Sequence, residues 1–83
     1  MANEEIRIYG ATWCPDTSRA RRIFDKHHIH FAWFDIDEDR AARKYVESVN
    51  DGNCSIPTIV FLDGSIMVEP EDRELERKLL GGR

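Results

Sequence analysis

Residues 5–36 hold two apolar stretches on either side of one helical segment, and that spacing leaves few topologies open. Ile6 and Ile8 alternate with polar neighbours over residues 5–9 and end at Gly10, the pattern of a half-buried strand. From Pro15 onward Ala20, Ile23, Phe24 and His27 recur at i, i+3, i+4 and i+7. Arg19, Arg21, Arg22, Asp25 and Lys26 fill the other faces, so the segment is an amphipathic helix of about three and a half turns. Residues 30–36 are rich in aromatic side chains and form a second strand, with Phe34 and Ile36 on one face. Strand, helix and strand within about 30 residues make a right-handed βαβ unit, so the two strands are expected to run parallel.

The remaining chain extends this unit. Asp37 is an N-cap for a second helix, in which Ala42, Tyr45, Val46 and Val49 repeat the i, i+3, i+4, i+7 spacing before Asn50-Asp51-Gly52-Asn53 stops it. Residues 57–62 are almost continuously apolar, as a strand covered on both faces would be, with Pro57 as its first residue. Asp63-Gly64 turns the chain into a return strand over residues 65–68. Pro70 opens a final helix with Glu71 and Asp72 in its first turn, Leu75 and Leu79 inward, and Gly81-Gly82 as the stop. The order is β-α-β-α-β-β-α, an α/β chain, and residues 1–83 are expected to form a single domain without linker or repeat.

Charge and cysteine usage narrow the function classes. A net charge of −4 argues against nucleic acid as a partner. No apolar run reaches membrane-spanning length, and the first five residues do not read as a secretory leader. Two cysteines 40 residues apart are too few for a secreted disulfide framework, so a reducing, cytoplasmic setting is expected. The chain is also expected to act as a monomer.

Cys14 stands between the first strand and the first helix. Pro15 suits the first helical position, where a missing N–H costs nothing, which makes Cys14 the N-cap. Unpaired backbone N–H groups and the positive end of the helix dipole then favour a thiolate there, the reactive form of cysteine. Read blandly, the residue is merely a small one at a helix start.

Cys14-Pro15 at a helix start and Ile56-Pro57-Thr58 at a later strand give the chain a pattern that resembles the thioredoxin superfamily, and within it a glutaredoxin. The likeness covers residues 5–80. Trp13-Cys14, the run Ser48–Asn53, and Phe61–Ser65 after Ile56-Pro57-Thr58 are most similar to the mycoredoxin branch, the glutaredoxins that work with mycothiol. This resemblance implies a four-stranded mixed sheet in order 2-1-3-4 with helices on both faces. It implies a cis Ile56–Pro57 bond packed beside Cys14, and an Ile56 backbone that pairs with the thiol substrate. It implies no bound cofactor or metal, with mycothiol or glutathione as co-substrate and mixed-disulfide proteins as partners. The chain departs from the family pattern at Thr17, where a dithiol motif has its second cysteine. Gly10, Ala11 and Thr12 replace a lysine common before the cysteine, and Met67–Asp72 replaces a segment that usually holds a glutathione carboxylate. These departures leave a single-cysteine route and remove the usual glutathione contacts.

Other residues carry open alternatives. Trp13 is expected to shield the sulfur and offer a contact surface. Asp16 either opposes a thiolate or faces solvent. Thr17 either donates its hydroxyl to the Cys14 sulfur or is a plain first-turn threonine. Cys54 is a candidate resolving thiol or a half-buried bystander, subject to the Cα separation of about 7 Å or less that a disulfide requires. Arg19 and Thr58 are candidate contacts for the small thiol, Arg19 otherwise lying on the solvent face. His27, His28 and His30 straddle a helix end and a strand start without a shared face, a solvated turn rather than a metal site. The leading function is a monothiol glutaredoxin-like oxidoreductase acting through Cys14; the rival is a thiol sensor or binding module that forms an adduct without turnover.

Overall fold

The computed structural model describes residues 5–81. The proposed stop at Gly82 and the reading of residues 1–4 as no leader lie outside the described residues. The elements are β1 (Ile6–Gly10), α1 (Pro15–Lys26), β2 (Phe31–Asp35), α2 (Arg40–Val49), β3 (Thr58–Val60), β4 (Ile66–Val68) and α3 (Asp72–Leu79). They form a four-stranded sheet in the order β2-β1-β3-β4, the order that the family resemblance implied. β1 and β2 are parallel, with Ile6 opposite Phe31 and Gly10 opposite Asp35. β3 runs antiparallel to β1, and β4 antiparallel to β3.

Strand alternation divides the core in two. Ile8 and Ile59 face α1 and α3, packing with Ala20, Ile23, Phe24, Phe61 and Leu75. Tyr9 and Val60 face the other way and pack with Ala42 and Val46 of α2, joined by Ile36. Phe34 and Ile36 share this second layer, as their spacing predicts. Tyr9 stacks between Phe34 and Tyr45, with ring centroids 4.8 and 4.9 Å away. Both clusters rest on the β1–β3 pair, so the end of β1 is held from both faces.

Several boundaries differ from the sequence reading. Asp39, not Asp37, caps α2, its carboxylate accepting from the backbone N–H of Ala42 at 3.1 Å. α3 begins at Asp72 with Glu71 as N-cap, so Pro70 lies before the helix rather than opening it. Glu74 secures this start by accepting from the Glu71 backbone N–H at 3.1 Å. β3 is shorter than the apolar run 57–62, because Leu62, Asp63 and Gly64 form the turn. Phe61 donates its N–H to Ser65 across that turn, and Gly64 has φ +88°, which only glycine adopts without strain. His27 caps the end of α1 instead of continuing its apolar face, and its Nε2 lies 2.9 Å from Glu76 on α3.

Candidate active site

Gly10 ends β1, and Ala11 to Cys14 make a turn in which Cys14 donates its N–H to the Ala11 carbonyl at 3.2 Å. Ala11 is fully buried and anchors the turn. Cys14 is extended (φ −86°, ψ 118°), and its carbonyl accepts the first helical bond, from Ser18 at 3.0 Å. It is therefore the N-cap of α1 with Pro15 at the first helical position, as the sequence indicates. Its side chain accepts no cap hydrogen bond, so the first-turn N–H groups stay available to a charged sulfur. Cys14 is 8% exposed and belongs to the buried cluster that includes Ala11, Tyr9 and Ile56.

Opposite this turn, the Ile56–Pro57 bond is cis. The loop that leads to it is braced from inside. Thr58 donates its hydroxyl to the Ser55 carbonyl at 2.7 Å and accepts from the Asn50 side chain at 3.2 Å. Asn50 also donates to the Val46 carbonyl at 2.8 Å, tying the loop to α2. Thr58 is fully buried with its hydroxyl engaged, so it holds the loop rather than facing a small thiol. On the far side, Pro57 accepts through its carbonyl from the Glu69 N–H at 2.9 Å. Cys54 is half-buried in this loop, packs against the cluster that contains Cys14, and is a free thiol like Cys14.

The charged neighbours of Cys14 are paired with one another. Asp16 ion-pairs with Arg19 three residues on, and Arg19 lies 3.9 Å from Asp72 on α3. Asp16 thus faces outward to a cation, and the Arg19 charge is already engaged instead of free for a carboxylate. Thr17 is fully buried at the third helical position, and its hydroxyl has no hydrogen-bond partner among the described residues. Of the two readings of Thr17, the donation to the Cys14 sulfur is not formed. The Thr17 side chain instead presses on Gly10, where an added Cβ would come within 2.5 Å of its Cγ2 and 2.6 Å of its Oγ1.

Trp13 does not close over the sulfur. Its side chain is 68% exposed, and its indole Nε1–H donates to Asp37 Oδ2 at 2.7 Å. Asp37 is itself fixed where the chain leaves β2, since its N–H donates to Asp35 Oδ1 at 2.8 Å. Asp37 and Asn50 brace this site through hydrogen bonds that sequence reasoning missed, one taken as a cap and the other as a helix stop. No signal at short range marks either contact with its distant partner. Of the histidines, His27 and His30 bond to Glu76 and Glu5, and His28 lies at φ +56°. Among the described residues no group of three or more potential ligands could hold a metal ion, and no helix is long and apolar enough to cross a membrane. A cleft of about 360 Å³ between Ile6, Leu62 and Leu79 lies at the start of β1, away from Cys14 at its end.

The family model for glutaredoxin matches residues 6–67. A Mycobacterium tuberculosis protein that carries the glutaredoxin name is 35% identical over 80 residues, spanning 96% of this chain and 95% of the relative. Mycoredoxin 1 of Corynebacterium glutamicum is 32% identical over 74 residues, spanning 89% of this chain and 91% of the relative. Among solved structures, the glutaredoxin of Archaeoglobus fulgidus superposes with a TM-score of 0.74 at 26% identity, covering 99% of this chain and 89% of that one.

Proposed function

Because the chain belongs to the glutaredoxin family, on its mycoredoxin-like side, we propose that it is a thiol–disulfide oxidoreductase that reduces mixed disulfides by a monothiol cycle through Cys14. The observation that carries this reading is Cys14 as N-cap of α1, packed in one cluster with Ile56 before the cis proline. In the first step the Cys14 thiolate attacks the small-thiol sulfur of a protein mixed disulfide. A bond forms between Cys14 and that sulfur, the old disulfide breaks, and the protein leaves as thiolate. In the second step a free small-thiol thiolate attacks the adduct, releases Cys14 as thiolate, and carries away the symmetrical small-molecule disulfide.

The chain's own groups support each step. Unpaired first-turn N–H groups and the helix dipole favour negative charge at the Cys14 sulfur both before attack and on release. Thr17 stands where a second motif cysteine would be needed, so a disulfide within the motif has no partner and the adduct must be resolved from outside. The co-substrate is a low-molecular-weight thiol, mycothiol or glutathione, and the chain acts as a cytoplasmic monomer. The cycle needs no bound cofactor or metal. Cys54, the candidate resolving thiol, is not required by it.

A steady-state assay tests this. A peptide carrying mycothiol or glutathione in mixed disulfide, supplied with the matching free thiol, is turned over many times by the wild type and not by Cys14→Ser. A stoichiometric adduct on Cys14 without turnover would instead support the sensor. Intact mass after mild oxidation reports on Cys54: an adduct on Cys14 alone fits the monothiol cycle, and loss of both thiol hydrogens without an adduct marks a Cys14–Cys54 bridge.

A further inference from the structure

β4 is the last strand in the order β2-β1-β3-β4, so no strand among the described residues pairs with its outer edge. Which backbone groups face that edge follows from the ladder on its inner side. Phe61 donates its N–H to the Ser65 carbonyl, and Glu69 donates its N–H to the Pro57 carbonyl, both at 2.9 Å. In the register between these bonds, Met67 lies opposite Ile59, Val68 opposite Thr58 and Ile66 opposite Val60. Hydrogen-bonded and non-hydrogen-bonded pairs alternate along an antiparallel ladder. Met67 therefore turns its backbone groups toward β3, and Ile66 and Val68 turn theirs outward. Edge strands are commonly guarded by a charged side chain or a proline, and Ile66, Met67 and Val68 supply neither.

The side chains of this edge are divided between the two faces of the sheet. Ile66 and Val68 lie on one face and are 40% and 37% exposed. Met67 lies on the other, against the cluster that holds Ile59 and Leu75, and lines a groove of about 270 Å³ with Glu74, Arg77 and Lys78 of α3. Two of the charges in this groove are engaged. Glu74 accepts from the Glu71 N–H at 3.1 Å, and Lys78 donates to Asp63 at 2.9 Å. Arg77 has no ion pair among the described residues. An extended chain laid along β4 would set one side chain in the groove beside Met67, between two on the Ile66 and Val68 face. A carboxylate in the groove would meet the unpaired guanidinium.

We propose that the outer edge of β4 takes an added strand from a partner protein, a segment with a glutamate between two β-branched apolar residues. The strand runs antiparallel, the more stable pairing per residue. Ile66 and Val68 each give it one backbone donor and one acceptor, its apolar side chains cover theirs, and its glutamate reaches Arg77. None of these residues belongs to the Cys14 turn or to the loop before Pro57, and the docking is read without any thiol exchange.

The probe is a short capped peptide, Thr-Val-Glu-Val-Thr, titrated into the whole chain and followed through its backbone amide resonances. It is expected to shift the Ile66 and Val68 amides downfield and to slow their exchange with solvent. It binds at least about threefold tighter than the same peptide with a central lysine. Arg77→Glu reverses that order, a result that loss of folding cannot produce. N-methylation of both valines, whose N–H groups face β4 in the antiparallel pairing, weakens the peptide by about tenfold or more. N-methylation of the glutamate, whose N–H points away, leaves affinity within about threefold. Absent binding, unshifted Ile66 and Val68 amides at saturation, equal affinity for the two central residues, or indifference to methylated valines would each overturn the proposal. So would Ile66 and Val68 shifts that grow with protein concentration in the absence of peptide, which would give the edge to a second copy of the chain.

Discussion

Thr17 offers the sharpest test of how the start of α1 is built. Its side chain is fully buried and its hydroxyl has no partner among the described residues, although one of its two sequence readings aimed that group at the Cys14 sulfur. Valine keeps the branched shape and has a similar helix propensity, so Thr17→Val isolates the hydroxyl. An unpaired buried hydroxyl costs about 1–3 kcal/mol in desolvation that no bond offsets. The methyl that replaces it adds apolar burial, reduced by the tight contact with Gly10. The net expectation is a gain of about 1–2 kcal/mol. With a urea m-value near 1 kcal/mol/M for a small chain, the midpoint rises by about 1 M or more. Urea unfolding followed by circular dichroism measures it, and the rate of Cys14 alkylation by iodoacetamide, read alongside, stays within about twofold of wild type. A lower midpoint, or alkylation slowed about tenfold, would refute the reasoning and place the hydroxyl on the thiolate.

Three further perturbations probe the same framework. Gly10→Ala drives a Cβ to within 2.5 Å of the buried Thr17 side chain and is expected to cost about 1–3 kcal/mol; in a Thr17→Ala background the cost shrinks, a coupling that a double-mutant cycle of urea midpoints reads directly. Thr17→Cys returns a second thiol to the motif, and mild oxidation should then yield a disulfide between Cys14 and the introduced thiol, detected by intact mass, where the wild type yields none between these positions. The Asp63 carboxyl is held well below the usual carboxylate range by hydrogen bonds from Ser65 and then from Lys78. A depressed carboxylate contributes stability that is complete above its unfolded value, near 3.8, and is lost as the pH falls below it. Asp63→Asn should therefore flatten the decline in urea midpoint between about pH 5 and pH 2, and a decline as steep as that of the wild type would show that Asp63 contributes nothing there.

What the sequence disclosed and what it hid follow from the range of the forces involved. The strands and helices and their order along the chain were legible because strand alternation and the i, i+3, i+4 spacing report burial directly, whereas the sheet order and the two helical layers came from the family resemblance. The cysteine at the N-cap was legible because Pro15 has few other places to stand. The cap of α2 was misplaced because Asp37 and Asp39 are equally good capping residues two positions apart, and only the tertiary bond from Trp13 shows why Asp37 is engaged elsewhere. The apolar run 57–62 overstated β3 because apolar character marks burial, not pairing: Phe61 is buried beyond the strand end, and Leu62 is exposed in the turn. Arg19 looked free because its second partner, Asp72, lies on α3, far along the chain. Thr17 kept two readings because the choice depends on a side-chain torsion that sequence does not encode.

The central claim, a monothiol cycle on Cys14, meets its most direct test in one assay. Wild type, Cys14→Ser and Cys54→Ser are given a mycothiolated peptide with free mycothiol, and product is counted per enzyme over time. The expected result is multiple turnover by wild type and Cys54→Ser and none by Cys14→Ser. Turnover that survives Cys14→Ser, or a wild type that stops after one equivalent, would contradict it.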